Sequence, residues 1–382
     1  VVDFSRLLPG AYCTWILKTL GADVIKVEQP GKGDYQRDIG LQAGTRGSAL
    51  FQLVNQGKRS IGLNLKRPEA QPILSKLLKA ADVIVESFRP GVAPRLGIDF
   101  DALRAERPSV VCVSINGFGA ESPLRLTAAH DINYLALSGV MNRQLQAGEG
   151  ISDVPLVDLI GGGLIPALST LALLYQARVT GIGGTVDASL ADAMPLLPYD
   201  ILAAALLGLP EPRKQDSPFS GAAANYAVYA LRDGYVAVGA VEEEFWQEFC
   251  RRMELGFVAR SGTREEVGTL KEELSRRFQA MSRSEVNALF EGADACVTVV
   301  QSYEEMLASE HAKARQFVGT PPAPDAMPRL GSPFFHDGRR EFAEGVAPVL
   351  GEHSAQVLGE LGFSPSQIDA FSASGAVAIG TP

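Results

Sequence analysis

The chain has 382 residues, 46% hydrophobic and 21% charged, with a formal net charge of −9. That apolar content excludes a disordered chain or a disulfide scaffold and is enough for two or three cores at roughly 150 residues per domain. The acidic balance excludes a general attraction to nucleic acid or to an anionic membrane, so an anionic ligand must find a local cluster of Lys and Arg.

Four cysteines, Cys13, Cys112, Cys250 and Cys296, are far apart and form no CxxC pair. They predict buried free thiols in a reducing compartment, not a zinc or redox site. No charged leader with an apolar core is present, which predicts a cytoplasmic protein. The uncharged stretch from residue 159 to 177 is interrupted by Gly161, Gly162, Gly163 and Pro166, and predicts a buried core helix instead of a membrane span.

In chain order, a helical segment near residues 15–20 precedes a strand at 22–27. A second strand is expected at 60–65, a helix at 68–80, a third strand at 82–86, a helix at 100–105 and a strongly β-branched strand at 109–115. This alternation predicts an α/β fold with a parallel sheet covered by helices. The junction at residues 3–10 carries one glycine, not GxGxxG, so nicotinamide or flavin binding is not expected. The long apolar helix leads to a strand at 184–189, an apolar stretch at 195–210 and a linker, assigned to 196–224 overall. A fresh α+β unit spans 225–315: a hairpin (226–231, 235–240), amphipathic helices to about 291, a strand at 297–300 and a helix at 304–312. Residues 316–330, rich in proline, read as a second linker. Residues 331–382 then return to the first domain (1–195) with a helix at 352–361 and a polar tail.

Only four histidines occur. His311, His336 and His353 read as surface or capping residues. His130 is followed by Asp131-Ile132-Asn133-Tyr134 and an apolar helix, where capping and proton transfer are both open. Asp158 precedes Gly161, Gly162 and Gly163. It reads either as an N-terminal helix carboxylate or as a group held where free N–H donors could stabilise an oxyanion. Glu242, Glu243 and Glu244 complement a helix N-terminus. Lys58, Arg59, Lys66, Arg67, Arg89 and Arg95 are either solvated faces or a phosphate-binding patch.

Several strings together are more specific. Gly21-Ala22-Asp23-Val24-Ile25-Lys26-Val27-Glu28, Gly57-Lys58-Arg59-Ser60-Ile61-Gly62-Leu63-Asn64-Leu65-Lys66 and Ala81-Asp82-Val83-Ile84-Val85-Glu86-Ser87-Phe88-Arg89-Pro90-Gly91 resemble the class III CoA-transferase superfamily. Within it, the run from His130 to Gly139, Asp158 with its glycine run, Val236 to Glu242, and Asp294 to Thr298 resemble the α-methylacyl-CoA racemase branch. The resemblance implies a large Rossmann-like domain built from both chain ends, a smaller central α+β domain and an interlocked homodimer. It implies an acyl-CoA thioester substrate, with no metal and no separate cofactor.

By position, the resemblance makes His130 and Asp158 the acid/base pair. Glu242, from the other subunit, would orient His130, and Leu63, Lys66, Phe88, Arg89 and Arg95 would line the CoA site. Gly161 and Gly162 would offer oxyanion donors. Gln29, Asn64 and Ile182-Gly183-Gly184 depart from the family pattern, which has Arg, Asp and Lys-Gly-Gln there. Inverting a carbon beside a thioester needs two acid/base groups on opposite faces, each within about 3 Å of its proton. Two alternatives remain open: a CoA-transferase with Asp158 as nucleophile, and a non-catalytic acyl-CoA-binding relative.

Overall fold

In the computed structural model, residues 1–382 are described except 147–152, 197–198, 212–219, 256–263, 325 and 381–382. The chain divides into two compact units. One comprises Val1–Gln144, Gly150–Pro198 and Glu310–Pro382, and the other is built around Tyr199–Ser309.

The first unit is organised by a seven-stranded sheet. Six strands are parallel: β1 (Val2–Asp3), β2 (Ile25–Glu28), β3 (Arg59–Leu63), β4 (Val83–Glu86), β5 (Val111–Asn116) and β6 (Gly184–Ser189). Their spatial order is β3-β2-β1-β4-β5-β6, with Val377–Ala378 added beside β3. Val2 lies opposite both Ile25 and Ile84, which makes β1 the central strand. Alternation along the strands separates two cores. Ile84 and Cys112 face a core completed by Ile73, Leu77 and Leu358, while Val83, Val85, Val111 and Val113 face one completed by Trp15, Ile16 and Leu190. Burial on both faces is why these strands read as continuous apolar runs.

The order reverses between β1 and β4. In such sheets, the loops leaving the carboxyl ends of the two strands at this point diverge and leave a crevice.

The second unit has its own core. The hairpin Tyr226–Leu231 and Gly234–Gly239 pairs antiparallel, and Val297–Val299 joins its second strand with Val236 opposite Val299. Helices Glu243–Arg252, Arg264–Gln279 and Arg283–Phe290 contribute Trp246, Phe249, Phe278 and Phe290 to the apolar centre.

Several expectations are corrected. The last strand, Val377–Ala378, runs antiparallel to β3, Val377 opposite Leu63. The supposed polar tail thus holds a helix, Pro365–Ala373, and an edge strand, whose two residues are too few to show a period. Residues 196–224, expected as a linker, contain the helix Tyr199–Leu206, and residues 212–219 lie outside the described residues. Residues 316–330 contain Val318–Gly319, paired with Arg329–His336, which in turn pairs with Arg339–Phe342. The helix expected at 304–312 is two helices, Tyr303–Ala308 and Glu310–Ala314.

The apolar stretch forms a helical run from Leu156 to Thr180 that is buried on one side only. Ala167 and Thr170 are buried, while Leu168, Tyr175 and Val179 are 66%, 74% and 65% exposed. Cys13, Cys112 and Cys250 are buried, but Cys296, which has a φ of 50° just before the last strand of the second unit, is exposed. His311 and His336 are exposed. His353 is half-buried and its Nδ1 accepts the Ser60 N–H at 3.3 Å.

Candidate active site

The loop leaving β1 is fixed from beneath by buried charges. Asp3 accepts the Ser5 N–H at 2.8 Å, and Lys26 donates to the Ser5 carbonyl at 3.0 Å and pairs with Asp34 at 2.9 Å. Asp34 accepts the Leu7 N–H at 3.0 Å, and Ser87, on the loop after β4, accepts the Arg6 N–H at 3.0 Å. Burial alone would raise the Asp34 carboxyl, but Lys26 and the N–H groups of Gln36 and Leu7 outweigh it and hold the group below its ordinary range. Leu7 has a φ of 65°. That left-handed conformation costs about 1–2 kcal/mol for a residue with a side chain, which the clamp sustains.

This loop ends in the helix Leu7–Thr19 and presents Arg6 at its start. The Arg6 guanidinium lies 5.3 Å from the Tyr35 ring centre and 5.9 Å from that of Phe88, and donates to the Tyr35 hydroxyl at 3.3 Å. On the opposite side Glu86, buried at the end of β4, accepts the Phe88 N–H at 2.7 Å and fixes the second loop.

Two clefts open at these strand ends and share Arg6 and Phe88. A small one of about 50 Å³ is lined by Leu63, Asn64, Lys66 and Gln29. The larger, about 350 Å³, is lined by His130, Tyr134, Asp158, Arg89, Arg125 and Asn116 among others.

His130 is exposed and immediately precedes the helix Asp131–Leu137, its own N–H donating to Asn133 Oδ1 at 3.0 Å. One turn on, Tyr134 is buried, packs edge-on to Phe118 at 5.2 Å and donates to the Ala129 carbonyl at 3.2 Å. Asp158 is the third residue of the helix Leu156–Leu159, and its N–H donates to Asp131 Oδ1 at 2.9 Å. Burial, reinforced by the Asp131 charge, pushes the Asp158 carboxyl up to about 7. The Tyr134 phenol is raised too, by burial and then by Asp158. Two proton-carrying groups, from segments 28 residues apart, thus line one cleft.

The glycines have a different place from the one expected. Gly161 and Gly162 do not begin the helix. They lie inside a π-helical turn, Ile160–Leu164, in the continuous helical run that starts at Leu156. A Cβ on Gly161 would sit 2.9 Å from that of Ala193, one on Gly162 would collide with Pro9, and one on Gly163 with Tyr12. Gly162 and Gly163 pack closely against the helix after β1, and Gly161 against Leu190 and Ala193 after β6.

Of the residues expected to bind CoA, Leu63 and Lys66 line the small cleft, Arg89 the large one and Phe88 both. Arg95 lines neither; it is exposed and its Nε donates to the Gly91 carbonyl at 3.1 Å. Glu242 belongs to the second unit, exposed at the start of the helix Glu243–Arg252. Among the described residues, no group of three His, Cys, Asp or Glu side chains is placed to hold a metal ion. Arg6, Arg125 and Tyr134 were not singled out from the sequence. The signal for Arg6 was its position in the loop that leaves the central strand, three residues past its end, which only the strand order reveals.

The chain is similar to known proteins over nearly its whole length. It is 32% identical to human α-methylacyl-CoA racemase over 96% of this chain and 94% of that protein. It is 29% identical to succinyl-CoA:mesaconate CoA-transferase of Haloarcula marismortui over 95% of each. A crystal structure of a CAIB/BAIF family protein from Brucella suis superposes with a TM-score of 0.82 at 24% identity, covering 94% of this chain and 97% of that one, and shows the same fold. The sequence model described as "CoA-transferase family III" matches residues 1–354, and the chain belongs to that family.

Proposed function

We propose that the protein binds an acyl-CoA thioester and inverts the carbon next to its carbonyl by two-base proton transfer. The observation that carries this reading is the pairing of His130 and Asp158 on one cleft at the switch point, with the Asp158 carboxyl near 7. A base near neutrality can take a proton, and its conjugate acid can return one, over a small range of driving force.

In the forward direction one of the pair removes the α-proton, and the C–H electron pair moves into the thioester to give an enolate. The other, starting protonated, delivers its proton to the opposite face as the carbonyl reforms. The pair ends with its protonation states exchanged, so the titration belongs to the pair. Glu242, from a second copy of the chain in an interlocked homodimer, would orient and charge His130. The small cleft, lined by Lys66, would take the CoA side. The racemase relative supports this reading.

The transferase relatives favour a second one. There the Asp158 carboxylate attacks the thioester carbonyl, CoA leaves as thiolate, and the thiolate then attacks the resulting anhydride to give an aspartyl-CoA thioester and free acid. A carboxyl near 7 suits proton exchange better than service as an anionic nucleophile, and this route gives His130 no role. Incubating a 2-methylacyl-CoA of one configuration in deuterium oxide separates the two. Deuterium at the α-carbon with loss of configuration supports the two-base route, and retention of the α-proton and of configuration overturns it.

A further inference from the structure

The larger cleft carries more positive charge than proton transfer requires. Arg6, Arg89 and Arg125 all line it, and Asp158 is the single carboxylate among its lining residues. Among the described residues none of the three arginines forms an ion pair. Arg6 is held between Tyr35 and Phe88 with only the Tyr35 hydroxyl as a polar partner for its guanidinium. Arg89 and Arg125 are exposed and make no side-chain hydrogen bond among the described residues. Arg37 is paired with Glu28, Arg59 with Asp23 and Glu360, and Arg283 with Glu305, while among the described residues the guanidiniums of Arg95 and Arg340 bond only backbone carbonyls. Three unpaired guanidiniums on one concave wall, in a chain of net charge −9, form an anion site.

Its anion belongs on the acyl side. Arg125 and Arg89 line the cleft of His130 and Asp158 and do not line the cleft of Leu63 and Lys66. On the reading above the small cleft of Leu63 and Lys66 takes the CoA side, which puts the CoA phosphates outside the cleft of His130 and Asp158. A purely aliphatic acyl group would give the three guanidiniums no anionic partner, whereas a carboxylate would pair with them.

Resting on the reading that an acyl-CoA thioester reacts at His130 and Asp158, we infer that the acyl group carries a second anionic group, a carboxylate, held by Arg125 and Arg6 with Arg89. A guanidinium fork matches a carboxylate in two parallel hydrogen bonds, and a site built for such a partner discriminates strongly against an analogue that lacks it.

The test compares 2-methylglutaryl-CoA, with its thioester next to the methyl-bearing carbon, with 2-methylpentanoyl-CoA. Binding is measured by calorimetry and α-proton exchange by mass spectrometry, for the wild type, Arg125→Gln and Arg6→Gln. The inference predicts at least a tenfold preference for the carboxylate ester, and a ratio that falls toward one in Arg125→Gln and to a lesser extent in Arg6→Gln. Equal affinities in the wild type overturn it. A loss of the same size on both esters in the variants also overturns it, and assigns the arginines to the CoA phosphates. If neither ester exchanges its α-proton, the proton-transfer reading fails, and the calorimetric ratio still decides the inference by the same criterion.

Discussion

The backbone N–H of Asp158 donates to the carboxylate of Asp131 at 2.9 Å, which joins the start of the helix carrying Asp158 to the start of the helix that follows His130. The bond has two consequences. It fixes the two proton-carrying residues in one frame although 27 residues separate them. It also sets a negative charge beside Asp158, adding to burial in holding that carboxyl up to about 7. A position in the first turn of a helix favours the ionised form, so burial and Asp131 together outweigh the helix dipole.

Replacing Asp131 by Asn isolates the charge, since the amide oxygen can still accept the Asp158 N–H. The limb of the pH–rate profile to which Asp158 contributes is expected near pH 7 in the wild type and moves to lower pH in Asp131→Asn. Because burial is the larger cause, the limb stays above the ordinary aspartate range near 4. An unmoved limb would show that Asp131 only holds the backbone.

His130→Ala and Asp158→Asn each remove one of the two groups that exchange the α-proton. Each is expected to lower kcat for inversion by about 10²–10⁴-fold, with the Kd for the CoA ester changed only a few-fold. Wild-type turnover in both variants would show that the cleft is not where the reaction occurs.

Gly162→Ala tests the close packing of the helical run that carries Asp158. The added methyl meets the ring and Cα of Pro9, in the first turn of the helix after β1, and that ring has no flexible end to swing away. A destabilisation of about 1–3 kcal/mol is expected in chemical denaturation, with a loss of activity larger than the unfolded fraction explains. Gly359→Ala, in the helix Ser354–Glu360 with open space around it, is the control and should leave stability within about 0.5 kcal/mol or raise it.

Asp34→Asn leaves Lys26 buried with one fewer anion, while the Leu7 N–H keeps an acceptor. The expected loss is about 3 kcal/mol. Asp3, Glu28 and Asp34 are each held below their ordinary values, because Lys26, Lys58 and Arg37 beside them outweigh burial. Groups with depressed folded values contribute stability that is complete above about pH 5 and is lost as the pH falls through those values. Unfolding free energy from this source is therefore level from pH 5 to 8 and declines below about pH 4, and the decline is shallower in Asp34→Asn.

The parallel sheet was legible because its strands, buried on both faces, are unbroken apolar runs such as Val83–Glu86 and Val111–Asn116. The edge strand Val377–Ala378 was not, since its antiparallel pairing depends on partners more than 300 residues away. His130 and Asp158 stood out by the strings around them, but the cleft they share depends on strand order, which local pattern does not carry. Arg6 was hidden for the same reason: nothing in its neighbours marks it as the residue at the switch point. The glycine run was seen, yet its spacing suggested a helix start, and only the contacts with Pro9, Tyr12 and Ala193 show that it serves close packing.

The central claim is α-proton transfer at His130 and Asp158. It is tested most directly by proton NMR of a single-configuration 2-methylacyl-CoA in deuterium oxide, with succinate present as acceptor and the product resolved on a chiral column. The account predicts that the α-proton signal disappears while configuration is lost and no succinyl-CoA forms. Formation of succinyl-CoA with the α-proton signal intact would contradict it and make Asp158 the nucleophile of a CoA-transferase.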